Sequence, residues 1–335
     1  MKVLVTEFDP IDEEARKILS EVAEVTSTLH CSEEELISQV GDVNGILVCF
    51  APITRKVIEA AGKLKVIARF GVGYDNVDVK AATERGVVVA NYPAIYTEEV
   101  AELTLLLMVA LARHLPYVDS MVRSGRWFWK MDMATRRRYT NACRTLQGKT
   151  LGIIGLGSIG REVARKAQSA LDMNILAYDP WADAKDMQKL GVGSADLATL
   201  LRNSDIISIH VPLTDSTRGM IGREELRAMK PSAYIINTSR GAIVDELALI
   251  EALRNGWIAG AGLEVFTKEP PEPDNPLFKM ENVVLSPHIG AQTVEASGKI
   301  WIACANTIAD VLKGRIPKPP ANIVNKDVLK RIRLE

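Results

Sequence analysis

The chain has 335 residues, of which 47% are hydrophobic and 25% are charged, and its formal net charge is -1. This length predicts about two domains, and the small net charge excludes a bulk electrostatic attraction to nucleic acid or to anionic membranes. No apolar stretch is long enough to span a membrane, and the N-terminal segment lacks the pattern of a signal peptide.

The four cysteines, Cys31, Cys49, Cys143 and Cys304, are scattered along the chain without CxxC spacing. Scattered cysteines favour reduced structural thiols over a disulfide framework or a metal site. We therefore expect a cytoplasmic protein that binds no metal.

The first 100 residues alternate short β-rich runs with helical patterns. A longer helix is predicted from Glu98 to about Arg113. Alternation at this spacing predicts a parallel sheet covered by helices on both faces. The predicted strands lie at 3–5, 24–26, 46–48, 66–68 and 87–89, and the predicted helices lie around 11–20, 32–39, 54–61 and 77–84.

A glycine-rich turn follows near the middle of the chain. Gly155, Gly157 and Gly160 have G-x-G-x-x-G spacing between a predicted strand at 150–154 and a predicted helix at 159–171. In dinucleotide-binding folds the first glycine permits the tight turn, the second allows close approach of a pyrophosphate, and the third permits close helix–strand packing. The N–H groups at the start of the helix then face the phosphates.

A second alternating series starts at this turn, and a last helix, from about 293 to 312, leads the chain back to the first series. The strands of this second series are predicted at 151–154, 174–178, 205–210, 233–237, 259–264 and 283–285. The sequence therefore predicts an α/β protein with doubly wound parallel sheets. A Rossmann cofactor domain (101–291) is inserted into a flavodoxin-like substrate-binding domain (1–100 and 292–335), and the active site is expected in the cleft between them.

An acidic residue follows the glycine turn at the spacing expected for ribose recognition. Asp179 ends the second strand of the series, and its carboxylate would accept ribose hydroxyl hydrogen bonds and repel a 2′-phosphate, which favours NAD over NADP. The alternative is an ordinary Asp-Pro surface turn. Val211 and Pro212 follow the next predicted strand and are candidates for the wall of the adenosine pocket.

Three charged residues on later strand ends are candidates for the chemistry of 2-oxo acid reduction. Arg240 is placed to hold a carboxylate, His288 to exchange a proton with the substrate oxygen, and Glu269 to stabilise the imidazolium. The alternatives are a structural histidine, a helix-capping arginine and a solvated glutamate.

Six ordered motifs resemble those of the D-isomer-specific 2-hydroxyacid dehydrogenases, as do Arg69 to Asn76 and the run 100–102. The motifs are GLGSIG at 155–160, YDP at 178–180, HVPLT at 210–214, NTSRGAIVDE at 237–246, LEVFTKEPP at 263–271 and SPHIGA at 286–291. The resemblance implies an NAD-dependent enzyme in which Arg240 binds substrate and the Glu269–His288 pair is the acid/base. It also implies that the backbone amides of Val72 and Gly73 receive the substrate carboxylate.

The same resemblance implies a set of cofactor contacts. These are Val72, Gly155, Gly157, Ser158, Ile159, Gly160, Asp179, Val211, Pro212, Thr217, Thr238, Arg240, Glu264, His288 and Gly290. One departure is visible, because Glu264 stands where the family usually has Asp. That position commonly bonds the nicotinamide carboxamide, and a longer acid should still reach it.

The small-molecule substrate is less defined than the reaction. Arg69 and the following glycines look most like phosphoglycerate dehydrogenases, and Arg69 is a candidate phosphate ligand. The apolar run 48–52, where those enzymes typically carry a further arginine, leaves glyoxylate, hydroxypyruvate or a bulkier 2-oxo acid open. A corepressor-like NAD-sensing binding protein is the alternative from another class. A formate dehydrogenase-like enzyme is disfavoured because Glu269 stands where those enzymes typically have glutamine.

The segment from Trp127 to Arg138 is longer than expected in relatives. We interpret it as a dimer arm of a homodimer formed through the cofactor domain, with its aromatic side chains packed on the partner. The alternative hypothesis has one of Arg136, Arg137 and Arg138 reaching a substrate anion across the dimer.

Overall fold

The computed structural model describes residues 1–332 and 334. Its first unit begins with an alternating series whose helices start at capping side chains, such as Ser32 with Glu35 and Asp78. Such residues satisfy the N–H groups that a helix leaves unbonded at its start. The elements are β1 (Lys2–Thr6), α1 (Glu13–Ser20), β2 (Glu24–Thr28), α2 (Glu33–Gln39), β3 (Gly45–Val48), α3 (Arg55–Ala60), β4 (Val66–Arg69), α4 (Val79–Glu84) and β5 (Val88–Asn91).

The second unit spans Thr97–Ala291. It opens with three helices, α5 (Thr97–Ala112), α6 (Leu115–Arg123) and α7 (Met133–Ala142). The predicted domain boundary after residue 100 falls within α5, whereas the structure divides the chain where this helix begins. The following elements are β6 (Thr150–Ile154), α8 (Ser158–Leu171), β7 (Asn174–Tyr178), α9 (Ala184–Lys189), β8 (Val192–Ser194), α10 (Leu197–Asn203), β9 (Ile206–Ile209), α11 (Arg223–Ala228), β10 (Tyr234–Asn237), α12 (Glu246–Arg254), β11 (Gly260–Leu263) and β12 (Val283–Leu285).

The chain returns to the first unit after residue 291. The return consists of α13 (Val294–Leu312), the short strand β13 (Asn322–Ile323) and a 3-10 turn at Lys326–Lys330. In the described residues, six strands form the sheet of this unit in the order β13-β5-β4-β3-β1-β2. All neighbours are parallel except β13 and β5, so the parallel part has the flavodoxin-like order.

The sheet of the second unit is parallel throughout the part of the chain that the structure describes. Its seven strands have the order β12-β11-β10-β9-β6-β7-β8, with the chain reversing its direction of growth at β6. This is the doubly wound Rossmann arrangement predicted from the sequence, and ligands bind such sheets at the carboxyl ends of the strands near the reversal. The predicted fold class is therefore confirmed.

No single helix among residues 1–332 is both long and apolar enough to cross a membrane. Only α5 and α6 taken together reach that length and composition, and they are bent by 67°. None of the four cysteines, all within the described residues, forms a disulfide.

Candidate active site

The glycine turn between β6 and α8 leaves an open cradle at its centre. Gly155 has φ +93°, and a Cβ there would lie 2.9 Å from the carbonyl of His210. A Cβ on Gly160 would lie 2.2 Å from the Gly155 oxygen, so both positions require glycine. At Gly157, by contrast, a Cβ would meet no described atom within 4 Å. The open side of the turn is therefore at Gly157, where α8 begins without a side-chain cap.

Asp179 lies beside this turn, immediately after β7. Its Oδ2 accepts a hydrogen bond from the Leu156 N–H at 2.8 Å, and its Oδ1 accepts one from the Trp181 N–H at 2.9 Å. The carboxylate is thus fixed at the glycine turn, in the place predicted for ribose recognition. Trp181, which the sequence reasoning did not single out, is 93% exposed next to it.

The segment after β9 forms a compact turn on the same sheet edge. Thr217 Oγ1 donates to the Pro212 carbonyl at 2.6 Å, and Ser239 Oγ, after β10, donates to the Val211 carbonyl. The His210 ring nitrogen Nε2 lies 2.8 Å from Ser208 Oγ. Burial lowers the pKa of His210 from 6.5 to about 3, so this imidazole is neutral at physiological pH.

Glu264 is a buried acid directly after β11, with 2% of its surface exposed. Its Oε1 accepts a hydrogen bond from the Gly290 N–H at 2.5 Å. Its Oε2 is also buried and has no hydrogen-bond partner among the described residues. A buried acceptor without a donor is costly, so this oxygen fits a ligand that brings a donor to it.

These features fit a bound dinucleotide. The cradle at Gly157 with the start of α8 suits a pyrophosphate, Asp179 suits a ribose, and the second Glu264 oxygen suits a donor such as a carboxamide. The turn of Val211, Pro212 and Thr217 lies at the end of the strand next to β6. Thr238 directly follows β10, and its Oγ1 lies 3.1 Å from Oγ1 of Thr104 in α5.

His288 and Glu269 form a close pair in the second unit. His288 Nδ1 lies 2.6 Å from Glu269 Oε2, and the other carboxylate oxygen accepts a hydrogen bond from the Phe266 N–H at 2.9 Å. The backbone of His288 is in the left-handed region, with φ +58°, and its N–H donates to the Glu264 carbonyl at 3.0 Å. The imidazole is therefore oriented from both its ring and its backbone.

The charge of Glu269 is maintained by its surroundings. Burial alone would raise the pKa of this carboxyl, but hydrogen bonding to His288 and the positive charge of that ring lower it. The Phe266 N–H and the charge of Arg240 act in the same direction, and the pKa is lowered overall. A carboxylate that stays ionised beside an imidazole stabilises the protonated ring.

Arg240 approaches this pair because of the glycine that follows it. A Cβ on Gly241 would lie 2.0 Å from the backbone carbon of Phe266, so the two loops touch at backbone distance. The Arg240 carbonyl accepts from Asn237 Nδ2 at 2.8 Å, and Arg240 Nη1 donates to the Ser239 carbonyl at 2.8 Å. The structure thus brings together Arg240, Glu269 and His288 from three separate strand ends.

The other predicted substrate residues belong to the first unit. Arg69 ends β4, is 6% exposed, and donates from Nη1 to the Phe70 carbonyl at 3.1 Å. Val72 and Gly73 lie in the loop that follows, and the Val72 carbonyl accepts from Asn91 Nδ2 at 2.5 Å. Within residues 1–332, no group of three or more His, Cys, Asp or Glu is placed to hold a metal ion.

Two polar residues near this loop make contacts that were not predicted from the sequence. Asn76 donates from Nδ2 to the carbonyls of Cys49, at 3.2 Å, and Ala51, at 2.8 Å. Glu7 accepts from backbone N–H groups of the same run. Neither contact leaves a sequence signal, because the partners are main-chain atoms more than 20 residues away.

Comparison with known proteins agrees with this geometry. Residues 105–290 match the family model for the NAD binding domain of the D-isomer specific 2-hydroxyacid dehydrogenases. A D-3-phosphoglycerate dehydrogenase of Methanocaldococcus jannaschii is 44% identical over 97% of the chain, which spans 60% of that relative's length. A glyoxylate reductase of Thermococcus litoralis is 45% identical, with 88% of this chain and 87% of that protein covered.

A solved structure shows the same fold along the chain. The crystal structure of the TT0316 protein from Thermus thermophilus superposes with a TM-score of 0.85 at 36% identity, and covers 97% of this chain and 100% of that one. With the Rossmann unit, its glycine turn and the matching family model, the second unit is an NAD-binding domain, and NAD is its cofactor. The chain belongs to the D-isomer-specific 2-hydroxyacid dehydrogenase family.

Proposed function

We propose that the protein is an NAD-dependent dehydrogenase that interconverts a D-2-hydroxy acid and its 2-oxo acid. The observation that carries the proposal is the Glu269–His288 pair, 2.6 Å apart, with Arg240 on the adjoining loop of an NAD-binding unit. A charge-stabilised imidazole and a guanidinium are the two groups that reduction of a 2-oxo acid requires from the protein.

When bound, NADH supplies the hydride that reduces C2 of the 2-oxo acid. His288 donates a proton to the C2 oxygen as charge develops there, and Glu269 stabilises the imidazolium through Nδ1. Arg240 binds the substrate carboxylate with paired hydrogen bonds, which fixes C2 in place. In the opposite direction His288 accepts the hydroxyl proton, and in either direction the proton is exchanged with solvent.

The first unit contributes substrate binding in this proposal. The backbone N–H groups of Val72 and Gly73 would hold the substrate carboxylate, with the Arg69 charge close behind them. In the second unit, Gly155 to Gly160, Asp179, Val211, Pro212, Thr217, Thr238, Glu264 and Gly290 would hold the cofactor. Asp179 would make the enzyme prefer NADH to NADPH, because its carboxylate repels a 2′-phosphate.

A panel of 2-oxo acids tests the reaction class. We expect the purified protein to oxidise NADH with at least one of phosphohydroxypyruvate, hydroxypyruvate, glyoxylate and larger 2-oxo acids, and to yield the D-hydroxy acid. His288→Ala should lower kcat by about a thousandfold, in the range that general acid–base groups contribute. The matched control is His30→Ala, an exposed histidine of the first unit. Near-normal kcat in His288→Ala, or no activity with any acid, would contradict the proposal.

We also propose that the protein is a cytoplasmic homodimer that associates through the cofactor unit. The support is a set of exposed apolar side chains on and between its first three helices, including Trp127, 56% exposed, and Trp129, 73% exposed, both between α6 and α7. The Arg136 guanidinium lies 5.9 Å from the Trp129 ring, and Arg138 lies 3.7 Å from Glu281. Light scattering should give twice the chain mass, and Trp129→Asp should lower it.

The arginines of the same segment separate its two interpretations. Replacing Arg136, Arg137 and Arg138 by glutamate should leave KM for every accepted acid unchanged if the segment only mediates dimerisation. A rise in KM without loss of the dimer would support a contact with the substrate anion.

A further inference from the structure

The loop after β3 gives the first unit a specific surface beside the proposed substrate-carboxylate site. β3 and β4 are parallel neighbours, with Val48 paired to Arg69, so the loops 49–52 and 70–73 leave the sheet at the same edge. Asn76, three residues beyond the second loop, bonds to the first loop, because its side chain donates to the carbonyls of Cys49 and Ala51. A small acid held at Val72 and Gly73 would therefore present its C3 group near the loop 49–52.

This loop contains a pair of backbone donors of the kind that bind anions. The backbone N–H groups of Cys49 and Phe50 converge on the same point, and such main-chain donors are present whatever the side chains are. Both are already bonded to the protein's own carboxylate, that of Glu7. Cys49 N donates to Oε2 at 2.8 Å, and Phe50 N lies 2.8 and 2.9 Å from the two oxygens.

Glu7 is held in this position by further contacts. Thr6 Oγ1 donates to Glu7 Oε2 at 3.0 Å, and the Glu7 N–H donates to the Thr28 carbonyl at 2.7 Å. Its backbone is in the left-handed region, with φ +69°, which a glutamate rarely adopts. The carboxylate is thus a built-in part of the loop, and it occupies the donors that a second substrate anion would need.

The outer face of the loop is apolar. Phe50 is 52% exposed, whereas the neighbouring cation, Arg69, is only 6% exposed. The Arg69 guanidinium lies 5.7 Å from the Phe50 ring, and a Cβ on Gly71 would lie 1.8 Å from Arg69 Nη1, so the charge lies beneath the Gly71 loop. The surface near the C3 group therefore presents an aromatic ring, with the Glu7 carboxylate bonded to the loop and the Arg69 guanidinium covered.

We propose that this site selects 2-oxo acids whose C3 group is uncharged and apolar, and that Phe50 and Glu7 are the residues that exclude phosphorylated acids. The inference rests on the proposed function. A phosphate carries a charge of about −1.5 to −2 near neutral pH, so it would meet the like charge of Glu7 at N–H donors that Glu7 already occupies. Phe50 would contact an apolar C3 group, and Glu7 acts as a positioning residue for Phe50.

The first experiment compares acids that share the 2-oxo carboxylate and differ only beyond C2. Pyruvate, 2-oxobutyrate, phenylpyruvate, hydroxypyruvate and phosphohydroxypyruvate are each assayed with NADH and the full-length protein. We expect kcat/KM for the best apolar acid to exceed that for phosphohydroxypyruvate by about tenfold or more. Phosphohydroxypyruvate as the best substrate would overturn this inference alone, whereas no reduction of any acid would contradict the proposed function and this inference with it.

The second experiment reverses the preference at the exposed ring. Phe50→Arg should lower KM for phosphohydroxypyruvate by about tenfold, with an effect that weakens as salt is added, and should raise KM for phenylpyruvate. Ile316→Arg is the matched control, because Ile316 is 44% exposed in the same unit. It follows α13, whose Ile308 packs against Gly45 at the opposite end of β3. If both variants change the ratio of KM for phosphohydroxypyruvate to KM for phenylpyruvate equally, the inference is wrong.

The third experiment removes the charge and retains the shape. Glu7→Gln should raise the ratio of kcat/KM for phosphohydroxypyruvate to kcat/KM for 2-oxobutyrate by several-fold, about the effect of one partly screened charge. A thermal melt checks that the variant folds. An equal loss for both acids in a folded Glu7→Gln protein would count against a role in selection, and Phe50→Arg still decides if this variant does not fold.

Discussion

At the scale of single residues, the proposed chemistry depends on keeping a charge on a partly covered carboxylate. The Glu269 side chain is 32% exposed and the His288 side chain 26%. Burial acts against ionisation of Glu269, yet the facing His288 ring, the Phe266 N–H and the Arg240 charge together lower its pKa. The Glu269 carboxylate therefore stays ionised where it faces the His288 ring.

Glu269→Gln tests the charge without removing the hydrogen-bonding group. Because glutamine stabilises the imidazolium less, the pH range of 2-oxo acid reduction should contract, with its alkaline limb moving to lower pH. We expect kcat at neutral pH to fall by about a hundredfold. Steady-state rates from acid to alkaline pH measure both effects.

Glu272→Gln is the control, since Glu272 lies in the same loop and pairs with Lys268 instead of His288. Its pH profile should match that of the unaltered enzyme. An unshifted alkaline limb in Glu269→Gln would contradict the assigned role.

His210 provides a separate prediction about stability. Its pKa in the folded protein is about 3, below the ordinary 6.5, because desolvation of the half-buried ring beside Ser208 disfavours the charged form. As pH falls from 6.5 towards 3, the unfolded chain therefore takes up a proton that the folded chain does not, and stability falls. The stability that the neutral ring contributes is fully present above pH 6.5.

One such group gives a slope of at most about 1.4 kcal/mol per pH unit in the free energy of unfolding. His210→Asn should flatten the slope between pH 6 and about 4 in urea unfolding without NAD. His30→Asn, at an exposed position, should leave it unchanged. Equal slopes in His210→Asn and the unaltered protein would contradict the burial argument.

Residues with a local sequence signal could be predicted, and residues that act on distant main-chain atoms could not. Arg240 and His288 follow predicted strands, and Glu269 precedes Pro270 and Pro271, so the sequence pattern predicts these residues as candidates for the chemistry. Glu7 gave no such signal, because its partners, the N–H groups of Cys49 and Phe50, are about forty residues away and exist in every sequence.

At the scale of elements, the turn between β6 and α8 contains glycines that are required for two different reasons. Gly155 and Gly160 are required by packing within the protein, whereas Gly157 faces open space. Its φ of −73° is one that alanine adopts readily. The requirement at Gly157 should therefore come from the cofactor and not from the fold.

Gly157→Ala should thus uncouple stability from cofactor binding. The melting temperature should stay the same or rise. Alanine reduces the conformational entropy of the unfolded chain, which raises the free energy of unfolding by about 0.4–1 kcal/mol. NADH affinity should fall by about tenfold or more, because a methyl group would occupy the approach to the pyrophosphate. Fluorescence titration with NADH and thermal melts measure the two effects.

Gly298→Ala in α13 is the matched control, because a Cβ there also meets no described atom within 4 Å. It should leave NADH affinity unchanged. Unaltered NADH binding by a folded Gly157→Ala protein would show that the cradle is not where the pyrophosphate binds.

Elements with strong periodicity were predicted to within about two residues, and short or polar elements were missed. β8 contains exposed Gly193 and Ser194, and β13 has only two residues after a proline-rich run, so neither has a hydrophobic pattern. α7 buries none of its residues and is recognisable only by its capping residue, Asp132. Such elements form because the surrounding chain fixes their ends, which a window of sequence does not contain.

At the scale of the whole molecule, each unit has a core of its own. The clusters around Ile207 and Ile153 lie within the second unit, and the cluster around Ile46 lies within the first. The first unit, however, is built from two distant stretches of chain. Trp301 of α13 packs against Phe8 and Phe70, with ring centroids 4.8 Å apart in each pair. Asn325 bonds the backbone of Val87 and Val89.

The C-terminal return should therefore be essential to the first unit and dispensable for the second. Among the large side chains that α13 buries are Ile300, Trp301, Ile308, Val311 and Leu312. At about 2 kcal/mol each, their loss removes roughly 10 kcal/mol, comparable to the entire stability of a domain. A chain ending at residue 291 should then contain one folded unit and one unfolded unit, whereas residues 97–291 alone should fold completely.

NADH fluorescence and circular dichroism distinguish the two shortened chains. We expect both to bind NADH within about tenfold of the full chain, because the glycine turn, Asp179 and Glu264 lie in the second unit. Neither should reduce a 2-oxo acid, since Val72 and Gly73 are unfolded in one and missing from the other. Helical signal per residue should be markedly lower in chain 1–291 than in 97–291. Full cooperative unfolding of 1–291, or loss of NADH binding by a folded 97–291, would contradict the independence of the two cores.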